Sequence, residues 1–398
     1  MAETTGAAQF RAEIRRWLAD NLTGEFAPLV GRGGPGWEHE LVAERLAWER
    51  RLGQGRLIGL GWPASDGGRG LPWSWQAIFH EEYARAGGPG RTGHMGEQLL
   101  GPALLAFGTP EQKARFLPGI LSGTQVWCQG YSEPGAGSDL AAVATRAELR
   151  DGQWHLHGQK VWTSLAHIAD WCFVLARTAP QARRHRGLSY LLVPMRQPGV
   201  TVRPIVQLTG TSEFNEVFFD DARTDAGAMI GAPGDGWRVA MGTLGVERGA
   251  STIGLQAGFS RQFEDVLATA RRAGTIGQPD IAARITDAWI GLQVMRYTVA
   301  AIAGEPDEPG TQPGAAPDRV APGTEPSIAK LLWATWHQRL GELAADASGP
   351  DATLAGPGYE LPGAQRLLLF TRADTIYGGS NEIQRNIIAE RGLGLPRG

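Results

Sequence analysis

Residues Gln129–Asp139 read QGYSEPGAGSD and directly follow the apolar run Val126–Cys128. Three glycines and a proline in these eleven positions interrupt regular structure. The hydroxyl groups and backbone N–H groups of such a turn can donate hydrogen bonds to an electron-rich ligand. Further along, Gly158–Ser164 (GQKVWTS) combines another polar, glycine-containing stretch with a large aromatic residue. The two stretches together predict a binding wall for a flat, heteroaromatic cofactor.

The composition is typical of a globular protein with two or three domains, since 42% of its 398 residues are apolar and 20% are charged. A net charge of −3 and dispersed arginines argue against a nucleic-acid partner. We interpret the single dense basic run, Arg183–Arg186, as a solvated loop. Neither a signal peptide nor an apolar run near the ~18 residues that span a bilayer is present. We therefore predict a cytoplasmic protein without membrane contact.

The two cysteines, Cys128 and Cys172, each lie in an apolar, strand-like run. Buried free thiols are the simplest interpretation. Two cysteines make neither a disulfide framework nor a metal-ligand spacing, so no metal site is predicted.

Helical and strand-like periods divide the chain into three parts. Residues 7–122 are mostly helical, and Thr109 with Gln112 forms a predicted capping box. Alternating and β-branched runs dominate from residue 125 to 219, with a hairpin signal at Asp151–Gly152. The helical period returns after Gly236, with a Pro- and Gly-rich loop at 304–326. We therefore predict an N-terminal helical domain at 1–123, a small antiparallel β-domain at 124–233 and a helical domain at 234–398.

This layout and three motifs resemble the acyl-CoA dehydrogenase family over nearly the whole chain. The motifs are residues 131–139 (YSEPGAGSD), 158–164 (GQKVWTS) and 377–385 (YGGSNEIQR). The resemblance implies a multidomain α+β fold with an N-terminal helical domain, a middle antiparallel β-barrel and a C-terminal four-helix bundle. It further implies FAD, a CoA thioester substrate and an electron-transfer flavoprotein as electron acceptor. The implied reaction is α,β-dehydrogenation to the trans-2-enoyl-CoA, with flavin N5 as hydride acceptor.

The resemblance also implies individual site residues. Those implied to bind FAD are Gln129, Tyr131, Ser132, Gly137, Ser138, Trp162, Thr163, Ser164, Ser380, Asn381 and Glu382. Those implied to contact the substrate are Ser138, Leu244, Arg248, Tyr377, Gly378 and Gly379. Donors aimed at the flavin ring stabilise its reduced anion, and a glycine-led helix start suits the pyrophosphate. Without the resemblance, core packing would explain Trp162 and ordinary capping would explain Ser380.

The general base is assigned to Glu247. Removal of the α-proton needs a carboxylate in a dry pocket. Many family members place it directly after the tyrosine of the third motif, where this chain has Gly378, whose N–H can still bind the thioester carbonyl. The family's other position, on the first long helix of the C-terminal domain, matches Glu247, which has mostly small neighbours at helical spacing. A surface ion pair with Arg248 is the ordinary alternative, and the missing carboxylate at Gly378 argues against it.

The half of the cofactor site that homotetrameric relatives donate from a neighbouring subunit is incomplete here. The expected arginine falls on Ala273 and the expected phenylalanine on Ile276, and residues 346–358 lack the expected Gln and Gly-Gly turn. Heteromeric relatives that act on steroid side-chain thioesters divide the cofactor site between two different subunits in this way. We therefore predict a tetramer of α2β2 type with a homologous second subunit. A homotetramer with different pyrophosphate contacts is the alternative.

Two other functions are compatible with parts of the sequence. A flavin-dependent oxidase or monooxygenase on the same fold needs O2 access, and Glu247 argues against the monooxygenase version, which often lacks the base. A structural subunit that completes a partner's flavin site would not need intact segments around Ser132 and Trp162.

Overall fold

The structure, a computed structural model, describes residues 5–248, 252–302 and 324–396, without the side chains of residues 246–248, 252–253, 257 and 299–302. The loop predicted at 304–326 therefore lies almost wholly outside the described residues. Within the described ranges, no helix is both long and apolar enough to cross a membrane.

The N-terminal part is helical, as predicted. Its helices are α1 (Thr5–Asn21), α2 (Val42–Gln54), α3 (Trp73–Arg85), α4 (Gly101–Phe107) and α5 (Pro110–Leu121). The predicted capping box is confirmed at α5, where the Thr109 hydroxyl accepts from Gln112 N (3.3 Å) and the Gln112 side chain accepts from Thr109 N (3.0 Å). A π-helical turn at Met95–Leu100 leads into α4.

The middle part is one eight-stranded sheet. Its strands are β1 (Trp127–Gly130), β2 (Arg146–Arg150), β3 (Gln153–Ser164), β4 (Trp171–Arg177), β5 (Leu188–Pro194), β6 (Val200–Ile205), β7 (Phe214–Asp225) and β8 (Met229–Ile230). The order is β6-β7-β3-β2-β4-β5-β8, and β1 pairs with β4. The predicted hairpin joins β2 to β3, with positive φ at Asp151 (49°) and Gly152 (78°), as its two-residue turn requires.

The sheet is mixed rather than purely antiparallel. β1 runs parallel to β4, with Cys128 opposite Cys172, and β2 meets β4 in parallel at one residue pair. Both cysteines are buried and free, as expected. Among residues 124–233, β6 and β8 stand at opposite ends of the hydrogen-bonded strand order. The two strands are not paired with each other, so the order is that of an open sheet.

The C-terminal part is again helical. Its helices are α6 (Gly236–Arg248), α7 (Thr252–Ala273), α8 (Pro279–Ile302), α9 (Glu325–Ala347), α10 (Gly363–Phe370) and α11 (Asn381–Ile387). The helical stretch predicted from residue 237 to 273 is confirmed over 237–248 and 252–273, and residues 249–251 lie outside the described residues. α9 lies at the centre and packs against α7, α8 and α10 around buried Phe259, Trp333 and Leu340.

One apolar cluster joins all three parts of the chain. It contains Phe116 of α5, Phe173 and Tyr190 of the sheet, and Val239 of α6, each at most 1% exposed. Because α6 also packs on β5 and contacts α9, it lies between the sheet and the helical bundle.

Candidate functional site

A buried ion pair ties the segment after β1 to strand β3. Lys160 is fully buried, and its Nζ donates to Glu133 Oε1 (2.8 Å) and to the Tyr131 carbonyl oxygen (2.9 Å). The Glu133 carboxylate also accepts from the N–H groups of Ala144 (2.6 Å) and Thr145 (2.9 Å). Burial alone would raise the pKa of Glu133, but Lys160 and these donors lower it below the ordinary value of 4.5. The ionised carboxylate thus holds the first motif against β3.

The predicted wall residue Trp162 lies on a bulge in β3. The pairing with β7 shifts register between Lys160 and Thr163, and Trp162 has a φ of 62°, which is rare for a bulky residue. Its side chain is 58% exposed, so core packing does not explain it. On the same bulge, Val161 N donates to the Ser132 carbonyl oxygen (2.9 Å). The first two motifs therefore meet beside an exposed indole, and local strain of this kind is typical of functional sites.

Two buried polar atoms and an open glycine lie around this wall. Gln129 Nε2 and Thr163 Oγ1 are buried, and neither has a hydrogen-bond partner in the described part of the chain. Ser132 and Ser164 are half-buried, whereas Gly137 and Ser138 are exposed. A Cβ atom added at Gly137 would meet no atom within 4 Å in the chain. Orphaned polar atoms of this kind suit a ligand that supplies their partners.

The third motif is attached to α9. The Ser380 hydroxyl caps α11 by accepting from Ile383 N (3.4 Å), so Ser380 rather than Asn381 is the cap. The Asn381 side chain instead donates to Thr335 Oγ1 of α9 (3.2 Å). The Tyr377 ring lies 6.0 Å from that of Trp333 on the same helix. Glu382 is exposed, in the first turn of α11.

The predicted base lies on α6, whose last residue is Arg248. Leu244 is half-buried and packs against the joint cluster that contains Tyr131. The side chains of Glu247 and Arg248 lie outside the described residues, so their assigned roles stay predictions.

The basic loop Arg183–Arg186 lies beside the first motif, a position that the sequence analysis did not predict. Arg184 forms an ion pair with Asp139, the neighbour of Ser138, and the ring of His185 lies 4.3 Å from that of Trp237 at the start of α6. Arg184 is 62% exposed at its side chain, in keeping with the solvated loop that was expected. The run of four basic residues was the available signal, but its closeness to Ser138 follows only from tertiary structure.

The positions compared in sequence with the FAD contacts of homotetrameric relatives lie at the end of α7. Ala273 ends this helix, and Ile276 is half-buried against the core of the bundle. The guanidinium of Arg272 donates to Thr269 Oγ1 (3.0 Å) within the same helix.

The chain matches the family descriptions "Acyl-CoA dehydrogenase, N-terminal domain" over residues 4–124, "middle domain" over 128–222 and "C-terminal domain" over 234–393. Acyl-CoA dehydrogenase IpdE1 of Mycobacterium tuberculosis is 60% identical over 98% of both chains. Among solved structures, the Tcur3481-Tcur3483 steroid ACAD has a TM-score of 0.81 at 30% identity, covering 100% of this chain and 99% of that one. The ChsE4-ChsE5 complex from Mycobacterium tuberculosis has a TM-score of 0.79 at 28% identity over 100% of both chains.

Proposed function

The chain belongs to the acyl-CoA dehydrogenase family, an oxidoreductase family, and from this premise we propose that it converts an acyl-CoA thioester to the trans-2-enoyl-CoA with FAD as cofactor. The observation that carries the proposal is the exposed Trp162 on a strained bulge that is hydrogen-bonded to the Ser132 segment. We place the domain boundaries at 123/124 and 233/234.

The residues proposed to hold FAD lie on two supports. Gln129, Tyr131, Ser132 and the Trp162–Ser164 wall would face the ring, with Gly137 and Ser138 at the open side. Ser380, Asn381 and Glu382, on the segment attached to α9, would bind the pyrophosphate portion. Bound FAD supplies the hydride acceptor for this reaction. The support for this placement is the orphaned Gln129 amide and Thr163 hydroxyl, which a ligand with ring nitrogens and carbonyl oxygens can satisfy.

Proton abstraction is proposed for Glu247. Its helix lies between the sheet and α9, so a carboxylate near its end would stand where all three parts of the chain converge. Gly378 and Gly379 have positive φ values of 65° and 88°, which lets the backbone approach a ligand closely. The Gly378 N–H would bind the thioester carbonyl and so stabilise the enolate that forms as the α-proton leaves. Leu244 and Tyr377 would line the acyl chain, and Arg248 would assist substrate binding.

The CoA moiety is proposed to lie along the basic loop. Arg184 and its basic neighbours stand beside Asp139 and Ser138 on an exposed surface. Guanidinium groups recognise phosphate well because their donors form a planar fork. A steroid-derived or otherwise bulky acyl group is the proposed substrate class, by similarity to the steroid ACAD structure.

The proposed assembly is an α2β2 tetramer with a homologous subunit, with an electron-transfer flavoprotein as electron acceptor. Its support is the outer face of α8, where four large apolar side chains are 47–71% exposed: Trp289, Ile290, Val294 and Tyr297. An apolar face of this extent on a helix needs a protein partner to bury it. The two named complexes of the comparison are built from two different chains, and this chain resembles both.

Anaerobic titration with CoA thioesters tests the proposal. We expect a straight-chain, branched or steroid side-chain thioester to bleach the flavin and to yield a product lighter by two hydrogen atoms. A 2,2-dimethyl acyl thioester, which has no α-hydrogen, serves as the control and should leave the flavin oxidised. If no thioester of the panel bleaches the flavin of the FAD-loaded protein, alone or with its homologous subunit, the proposed reaction is wrong.

A further inference from the structure

A buried hydrogen-bonded chain runs from α7 to the third motif. Asp374, which is 0% exposed, accepts from the Tyr377 hydroxyl at Oδ1 (2.7 Å) and faces His337 Nδ1 at Oδ2 (2.7 Å). His337, on α9, is 1% exposed, and its Nε2 lies 2.8 Å from Gln262 Oε1 of α7. Lys330 Nζ, also buried, donates to the Asp374 carbonyl oxygen (2.7 Å). Side chains of α7 and α9 are thus linked to the third motif through the Asp374 carboxylate.

The cost of burying this carboxylate explains why its partners are fixed. An ionised carboxylate away from water is strongly unfavourable unless it is paired and hydrogen-bonded. Here both oxygens of Asp374 have a partner, and the imidazole of His337 is packed against the ring of Phe259 (4.5 Å). The Gln262 carboxamide lies beside the second ring nitrogen of His337, so both imidazole nitrogens have a hydrogen-bond partner. The geometry of the pair is therefore set by the core of the bundle.

This network holds one end of a turn that has no side chains of its own. Gly378 and Gly379 follow Tyr377 directly, and both have positive φ values. On the far side of the turn, Gln384, which is 0% exposed, donates from Nε2 to the carbonyl oxygens of Gly378 (3.1 Å) and Gly379 (3.0 Å). The diglycine turn is thus clamped between the Tyr377–Asp374 contact and the Gln384 amide. Glycine has more conformational freedom than any other residue, so the clamps rather than the turn determine its shape.

We infer that His337 and Asp374 are positioning residues, which act through the Tyr377 hydroxyl to hold the Gly378–Gly379 turn in the geometry that dehydrogenation needs. The inference rests on the proposed function, because the turn matters for the reaction only if it meets the thioester. A displacement of about 1 Å in such an element can slow a reaction about 100-fold. The two residues touch neither substrate nor cofactor in this assignment, and the Tyr377 hydroxyl links them to the turn.

A double-mutant cycle tests the inference. The FAD-loaded protein, with its homologous subunit where assembly needs it, is reduced under single-turnover conditions by whichever thioester of the straight-chain, branched and steroid panel is fastest with the wild type. We expect Asp374→Asn and Tyr377→Phe each to slow flavin reduction at saturating thioester by about 10- to 100-fold, with FAD content unchanged. Because both changes act on the Tyr377–Asp374 contact, the loss in the double variant should be smaller than the product of the two single losses. Flavin reduction at the wild-type rate in Tyr377→Phe would overturn the inference. Single losses in rate that multiply in the double variant would overturn it as well.

Two controls separate positioning from general damage. Tyr359→Phe removes the same atom from a tyrosine whose hydroxyl donates to the Leu208 carbonyl oxygen (2.9 Å), and it should react at the wild-type rate. His337→Asn, which keeps an N–H donor near Asp374, should react faster than His337→Leu. If Asp374→Asn fails to fold, the comparison of His337→Asn with His337→Leu still decides the matter, because His337 contacts neither substrate nor cofactor in this assignment.

Hydrogen exchange distinguishes this inference from the proposed function. Peptides that cover residues 376–384 should exchange faster in Tyr377→Phe than in the wild type, whether or not any thioester bleaches the flavin. Unchanged exchange in these peptides refutes the clamp even in an active enzyme. Faster exchange in a protein that no thioester reduces would uphold the clamp and refute the reaction.

Discussion

Removal of the Lys160 ammonium group should destabilise the protein strongly. The Lys160→Met substitution keeps most of the side-chain volume but removes the Nζ donor, now 2.8–2.9 Å away, from three acceptors. These are the carbonyl oxygens of Tyr131 and Leu175 and Glu133 Oε1, which keeps the Thr145 N–H as a donor. Loss of one partner of a buried ion pair typically lowers the free energy of unfolding by about 3–5 kcal/mol. Lys160 is 0% exposed, so water cannot replace the lost donor. We therefore expect Lys160→Met to lower the free energy of unfolding by about 3–5 kcal/mol.

A second substitution, at Glu133, tests how much of this loss comes from the unpaired carboxylate. In the double variant Lys160→Met/Glu133→Gln no charge is left buried, so we expect it to be more stable than Lys160→Met alone. It should remain about 1–3 kcal/mol below the wild type, because the two carbonyl oxygens still lack a donor. Lys113→Met is the matched control, since Lys113 lies 3.9 Å from Asp66 in a partly exposed pair. A pair of that kind contributes about 0–1 kcal/mol.

Urea titration of the FAD-free proteins, followed by circular dichroism, gives the free energies of unfolding, and equilibrium dialysis gives the affinity for FAD. Lys160→Met should also bind FAD more weakly than Lys113→Met, because the first motif loses its attachment to β3. A Lys160→Met protein that unfolds within 1 kcal/mol of Lys113→Met would refute the reasoning.

Four further predictions concern the proton, the pH, the assembly and the electron acceptor. Glu247→Gln should bind FAD, but a thioester that reduces the wild type should not bleach its flavin. Glu264→Gln, a change at an exposed glutamate, is the control and should be reduced normally. Normal bleaching of Glu247→Gln would show that Glu247 is not the base. Because the pKa of Glu133 in the folded protein lies below 4.5, its ionisation stabilises the protein above about pH 4.5, and this contribution should be lost as the pH falls further. The free energy of unfolding of Glu133→Gln should therefore depend less on pH in this window, and a pH dependence identical to that of the wild type would contradict the assignment. The chain expressed alone should retain FAD weakly, and a homotetramer with full, stable FAD occupancy would rule out the heteromer. Reduced enzyme should react slowly with O2 in a stopped-flow spectrometer, and rapid release of peroxide would favour an oxidase.

Local chemistry explains which parts of the fold could be predicted. The capping box at Thr109 and the hairpin at Asp151–Gly152 each depend on residues within a few positions, so the sequence signals them directly. The parallel pairing of β1 with β4 joins residues 44 positions apart in the register Trp127↔Trp171, and no local pattern encodes such a partner.

The candidate site shows the same limit. The motifs around Ser132 and Trp162 were found because each is a compact run with its own turn chemistry, whereas the run around Ser380 was singled out by the family resemblance. The role of Lys160 was overlooked although it lies inside a quoted motif, since a lysine in a strand is normally solvent-facing and only the fold brings Glu133 to it. His337 and Asp374 lie 37 positions apart, and neither stands in an unusual local context.

Because Trp162 is exposed, its fluorescence can be used to follow the binding of FAD. A solvated indole emits at longer wavelengths than a buried one, and a flavin stacked against it would quench that emission. The chain has 14 tryptophans, so the signal must be taken as the difference between the wild type and Trp162→Phe. Titration of FAD-free protein with FAD would then report loading of the proposed wall in real time, before any substrate is known.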